Sequence, residues 1–186
     1  MNVSQSRLSM VAKHVAATST SVRAASTTAT KASPPPTFRE KSHYKYFLPI
    51  QTRWTDNDQY GHINNSIYYH YIDTVVNEYL IRNCGLDPTD KSNTKPIGLV
   101  VSSSANFYSS ASYPSVLDVG LSISKIGRSS VTYRVGIFEK DSSSKQELAC
   151  VVGGFTHVFV HPETRRPVAL PEQFKSEIEK LLVVVD

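Results

Sequence analysis

The sequence predicts an α+β domain in which one long helix packs on an antiparallel sheet of five strands. Three observations predict it. A single long segment, Ser66 to Cys84, carries apolar residues at helical spacing. After Pro96 the chain turns to β-branched, partly alternating segments and stays with them. One more strand-like segment precedes the helix, and the connections after it are short.

The elements follow in order. His43 to Arg53 (HYKYFLPIQTR) alternates and is rich in aromatic residues, so it reads as a strand, and Pro49 within it fits an edge strand or a bulge. Trp54 to Asn65 is polar and turn-like, with Gly61 in its middle. In the helix, Ile67, Tyr71, Val75 and Tyr79 form one i, i+4 row, and Tyr68, Ile72, Val76 and Leu80 form the row beside it. Asn64 or Asn65 is the expected N-cap and Gly85 the expected left-handed C-terminal residue, with Pro88 soon after. So many β-branched and aromatic residues give modest intrinsic helicity, so burial against a sheet must hold this helix. Ile97 to Ser109, Val116 to Ile126, Ser130 to Lys140 and Glu147 to His161 read as four strands of an antiparallel meander, with turns at Gly127-Arg128 and at Asp141 to Ser144. Pro171 opens a last amphipathic helix, Glu172 to Leu182.

The chain has 186 residues and a net charge of +4, and all of that excess sits in residues 1–40. The rest balances 15 bases against 15 acids, which gives no global basic excess for a nucleic acid. No apolar run approaches the ~20 residues of a membrane span. Two cysteines without a CxxC, Cys84 and Cys150, form no disulfide framework and no zinc site; they read as small buried hydrophobes. His157 and His161, four apart in a strand, stand roughly 13 Å from each other, too far to share a metal.

Residues 1–33 hold four bases, seven alanines, twelve Ser or Thr and no acid, the composition of a mitochondrial transit peptide. Ser33-Pro34-Pro35-Pro36 follows as a stiff spacer. The expected organisation is leader and linker over residues 1–40 and a single domain over 41–186, in a mitochondrial protein.

The densest polar cluster is the loop from Arg53 to Asn65, which feeds the N-terminus of the long helix. Free N–H groups there can polarise a carbonyl or hold an oxyanion, and Asp56 or Asp58 can act on the carbonyl carbon directly or through a water. The string D-x-x-G-H-I-N-N-x-x-Y opening a long helix resembles the hotdog-fold acyl-CoA thioesterases of the 4-hydroxybenzoyl-CoA thioesterase-like superfamily, from about residue 43 to 161. The resemblance implies hydrolysis of an acyl-CoA or acyl-carrier thioester, without metal or cofactor. It assigns the catalytic carboxylate to Asp58 and, through the H-x-N-N form shared with plant acyl-carrier-protein thioesterases, an assisting role to His62. Tyr60, Gly61, Asn64 and Asn65 then become candidate substrate-binding positions, Gly61 through close backbone approach at the helix entrance. Tyr60 stands where the plant enzymes carry Asn. Asn65 and Asp73 stand where the bacterial acyl-CoA type carries His and Glu. The family also implies a homodimer or homotetramer with the acyl chain between subunits. Two other readings are a non-catalytic hotdog subunit of a mitochondrial assembly and a hydroxyacyl-thioester dehydratase.

Overall fold

The computed structural model describes residues 38–90, 92, 94–139 and 148–183. The expected leader and the expected turn at 141–144 lie outside these residues. Among these residues are five strands and two α-helices: β1 (Tyr46–Gln51), α1 (Asn65–Cys84), β2 (Ile97–Phe107), β3 (Val116–Ile126), β4 (Ser130–Glu139), β5 (Val151–Val160) and α2 (Glu172–Glu179). The sheet is antiparallel throughout, in the order β1-β3-β4-β5-β2.

That order departs from a simple meander in one place. β3, β4 and β5 are neighbours as expected, but β2 crosses to the far edge and pairs with β5, from Ile97↔Val160 to Phe107↔Val151. Residues 108–115 carry the chain from one side of the sheet to the other. The alternation of a strand fixes which face it buries and not which neighbour it takes, so the crossover left no local signature. β1 is the opposite edge, where Pro49 sits across from Asp118.

α1 lies across one face of the sheet. Its two apolar rows are buried at Tyr68, Tyr71, Ile72, Val75, Val76, Tyr79 and Leu80, against Leu117, Val119, Leu121 and Ile123 of β3 and Val131, Val135 and Ile137 of β4. Burying an aliphatic side chain stabilises by about 1.5–3 kcal/mol, several times the few tenths that β-branching costs in helix propensity. Packing therefore decides the conformation. Gly153 of β5 allows the close approach, since a Cβ there would lie 2.9 Å from the Ile72 side chain.

The helix ends are closed as expected. The Asn64 side chain accepts from the Ser66 N–H, and Gly85 takes the left-handed conformation at φ 71° while its N–H donates to the Leu80 carbonyl. α2 is shorter than the sequence indicates and ends at Glu179; it buries Phe174 and Ile178 in the same core. Cys84 and Cys150 are buried free thiols. Among the described residues no helix is long and apolar enough to cross a membrane.

Residues 38–44 strap the sheet's other face. The Tyr44 ring lies on Gly120 and Gly136, where any Cβ would collide with it, and its hydroxyl donates to the Phe38 carbonyl at 2.8 Å. Phe38 and Arg39 are thus already part of the fold ahead of the expected boundary near Lys41.

Candidate active site

The loop between β1 and α1 is built around two aspartates with opposite environments. Asp56 is 1% exposed. Its carboxylate accepts from the Tyr71 hydroxyl at 2.6 Å, from the Arg53 N–H at 2.7 Å and from the Arg53 guanidinium at 3.0 Å. Its carbonyl also accepts from the Asn64 N–H at 2.9 Å. Asp56 therefore ties the end of β1, the first residues of the loop and the second turn of α1 into one unit. Burial pushes its carboxyl upward, but the hydrogen bonds from Tyr71 and Arg53, with the Arg53 charge, outweigh burial and hold it below the usual carboxylate range. Burial first, then the bond to Asp56, pushes the Tyr71 hydroxyl up.

Asp58 closes a turn instead. The chain folds back on itself, with Asp58 N–H donating to the His62 carbonyl at 2.8 Å and Gly61 N–H to the Asp58 carbonyl at 3.1 Å. Gly61, at φ 78°, supplies the left-handed residue that ends such a turn. Its would-be Cβ meets nothing within 4 Å, so the backbone beside it is open. Asp58 Oδ1 accepts from the N–H groups of Tyr60 at 2.8 Å and His62 at 3.4 Å. Among the described residues nothing donates to Oδ2.

Asp58, Tyr60, His62 and Asn65 line one open cleft of about 510 Å³, together with Ile63, Tyr68 and the segment Phe107 to Ser110. Four of the six candidate residues thus meet in one place. Gly61 sits in the turn between them. The Asn64 side chain is spent on capping, accepting from both the N–H and the hydroxyl of Ser66. The Asn65 N–H, the first of α1, lies outside the helix's own ladder, where a helix N-terminus favours developing negative charge. An uncommitted carboxylate oxygen, an imidazole and a helix N-terminus around one cleft are a set able to attack, or to direct water at, a carbonyl and to stabilise the resulting oxyanion.

The far wall of the cleft has no local signature in the sequence. Phe107, the last residue of β2, and Tyr108, Ser109 and Ser110, which begin the crossover after it, stand some forty residues away in sequence. They are held there because the Tyr68 hydroxyl accepts from the Ala111 N–H at 3.0 Å, while the Tyr108 N–H donates to the Cys150 carbonyl at 2.8 Å. The Tyr68 hydroxyl was the available signal, since a buried Tyr needs a partner.

A second cleft, about 380 Å³, lies at the other end of β2, between its first residues, α1 and β5. Asp73, Asn77, Gly98, Val100 and His157 are among its lining residues. Burial lowers the His157 imidazole to about 4, against a smaller opposing effect of Asp73. Glu78, by contrast, is taken up by Arg82 and by the Tyr46 hydroxyl.

A scan against protein families matches the Thioesterase superfamily over residues 60–145, a span that opens inside the loop two residues after Asp58. Among solved structures, the PA5185 protein of Pseudomonas aeruginosa is 41% identical, with a TM-score of 0.71, covering 77% of this chain and 96% of that one. The dynemicin thioesterase, a structure described for its polyene binding, is 13% identical with a TM-score of 0.66, covering 75% of this chain and 99% of that one. The SAV2348 protein of Staphylococcus aureus, solved in complex with CoA, is 18% identical with a TM-score of 0.65, covering 75% and 87%. No curated protein matches the chain. The family match runs from within the loop through the central helix and β2 to β4, and the helix-on-sheet architecture matches over nearly the whole of a 41%-identical relative; the chain belongs to the thioesterase superfamily and has its hotdog fold.

Proposed function

We propose that the protein hydrolyses an acyl-CoA, or an acyl group on a phosphopantetheine carrier, to the free acid and thiol. The observation that carries this reading is the pairing of an uncommitted Asp58 carboxylate oxygen with the N-terminus of α1 across one cleft. CoA in the similar SAV2348 structure supports a CoA thioester as substrate. In the proposed reaction the thioester oxygen sits against the helix N-terminus. Either Asp58 takes a proton from a water that attacks the carbonyl carbon, and the C–S bond breaks to release the thiol, or Asp58 attacks the carbon itself, expels the thiol and leaves an acyl-aspartyl anhydride that water hydrolyses to the acid. His62 orients the reacting group. The test is a thiol-release screen over acyl-CoAs of graded chain length. Free thiol with free acid supports the hydrolase. A new double bond with the thioester intact would mean a dehydratase, and no turnover would favour a non-catalytic subunit.

The same reading includes a homodimer. β2 is an edge strand of eleven residues with Leu99, Val100, Val101 and Phe107 all more than a third exposed. Edges of this length and polarity are normally paired or blocked. Antiparallel pairing with β2 of a second copy would bring the start of one strand beside the end of the other. The cleft around Asp73 and His157 in one chain would then adjoin the Asp58 cleft of its partner, with room for an acyl chain between them. Sedimentation at micromolar concentration is expected to give at least a dimer, and a monomer would count against both the pairing and the shared site.

Mitochondrial import through residues 1–33 completes the proposal. Changing Arg7, Lys13 and Arg23 to Glu should abolish import of the chain into isolated mitochondria, because positive charge is the working feature of such leaders. Unimpaired import of that variant would remove the assignment.

A further inference from the structure

Two arginines, Arg39 of the strap and Arg134 of the interior strand β4, lie over aromatic rings. The Arg39 guanidinium lies over the Tyr108 ring, 4.5 Å from its centroid, and that of Arg134 over the Phe38 ring at 3.4 Å. No carboxylate among the described residues pairs with either. Arg39 is fixed further by its own backbone and side chain. The Ala149 N–H donates to the Arg39 carbonyl at 2.7 Å, and Arg39 Nε donates to the Ala149 carbonyl at 3.2 Å. With Nε committed and one face covered by Tyr108, the terminal nitrogens of Arg39 are the part left to bind something.

Tyr108 is also a wall of the cleft that holds Asp58, His62 and Asn65. Arg39 therefore stacks on a residue that lines that cleft. A planar, pre-oriented guanidinium with no acid paired to it among the described residues is suited to a phosphate, which it can meet through two parallel N–H donors. Stacking on Tyr108 reduces the side-chain freedom such a contact must give up.

We propose that Arg39 binds a phosphate of the carrier that delivers the acyl group, holding the carrier arm beyond the Tyr108 wall while the thioester reaches Asp58. The proposal rests on the reading of the protein as a hydrolase of carrier-bound thioesters, and it assigns a binding role to a residue on the strap ahead of β1. The phosphate has two sources. It is either the phosphodiester of the phosphopantetheine arm itself, common to CoA and carrier proteins, or the nucleotide phosphates found only in CoA. Arg134 lies over the ring of Phe38, the residue before Arg39, and is a second positive charge on the strap's side of the sheet.

The experiment uses the full chain, its Arg39→Gln variant and its Arg39→Lys variant. Calorimetric titration with CoA should show about tenfold weaker binding for Arg39→Gln, the loss expected for a charge-assisted contact, with partial recovery in Arg39→Lys. In hydrolysis, the ratio of KM for an acyl-CoA to KM for the same acyl group on N-acetylcysteamine, which carries no phosphate, should rise by a similar factor. If that rise persists with the acyl-phosphopantetheine, the arm's own phosphate is the ligand. If it appears only with the acyl-CoA, the nucleotide phosphates are. An equal rise in KM for the phosphate-free thioester would overturn the proposal and make Arg39 a support for Tyr108. So would CoA binding that ignores Arg39, or no CoA binding by the unaltered chain. CoA binding that depends on Arg39 with no hydrolysis of any thioester would retain the phosphate site and remove the hydrolase reading.

Discussion

Asp58→Asn is expected to lower kcat on the best thioester by about 10²–10⁴-fold, and by more if Asp58 is the nucleophile, while the protein melts within roughly 0.5 kcal/mol of the unaltered chain. The local geometry explains why the two readouts separate. Asp58 Oδ1 serves the fold by accepting from Tyr60 and His62, and an Asn carbonyl oxygen can accept the same two N–H groups. What Asn cannot supply is a negatively charged oxygen to attack the carbonyl or to take a proton from water. The turn should therefore stay closed, Gly61 should keep its left-handed conformation, and the cleft should keep its shape. The measurement is kcat with a thermal melt on the same preparation. An Asp58→Asn protein of full activity would move the chemistry to His62 or out of the loop.

The helix and its caps were legible because each is encoded locally. Two i, i+4 apolar rows, Asn64 before them and Gly85 after them are all visible within one stretch of the chain, and each has one cheap structural solution. The same holds for Val116 to Ile126, which forms a strand over the span its alternation indicates. The position of β2 was not legible, because an edge strand beside β5 and one beside β3 would carry the same alternation. The candidate site divides along the same line. Its near wall, Asp58 to Asn65, is contiguous in sequence and could be read from order and spacing. Its far wall, Phe107 to Ser110, depends on where the crossover lands. The different fates of Asp56 and Asp58 were also hidden, since both are aspartates in one polar loop. The partner that separates them, Tyr71, reads in the sequence only as part of an apolar row. Its ring is buried in that row and its hydroxyl reaches back to Asp56.

That partner makes Asp56 the residue on which the loop's position depends. Asp56→Asn should destabilise the protein by about 2–3 kcal/mol, because hydrogen bonds to a charged group are worth about 1.5–3 kcal/mol and the amide keeps only part of the set. For a domain of this size that is a fall of roughly 5–10 °C in Tm. The sign of the pH dependence follows from the direction of the shift. The folded protein holds the Asp56 carboxyl below its ordinary value, so its contribution is fully present above the unfolded carboxylate pKa of about 3.9 and is lost as the pH falls through the folded value. The stability gap between the two proteins should therefore be constant from pH 7 down to about 5 and close below about 4. Tyr71→Phe should destabilise through the same unit, and the two changes together should cost less than their sum, since each removes the bond that the other partner needs. Activity should fall as a secondary effect of a loop that no longer holds Asp58 at the helix entrance, where displacement by an ångström can cost on the order of a hundredfold. The two aspartates are thus separated by stability, not by rate alone. Asp58→Asn is a stable, inactive protein and Asp56→Asn a destabilised one. An Asp56→Asn protein that melts with the unaltered chain at pH 7 would show that the Tyr71 and Arg53 contacts do not hold the loop, and would return Asp56 to candidacy for the chemistry.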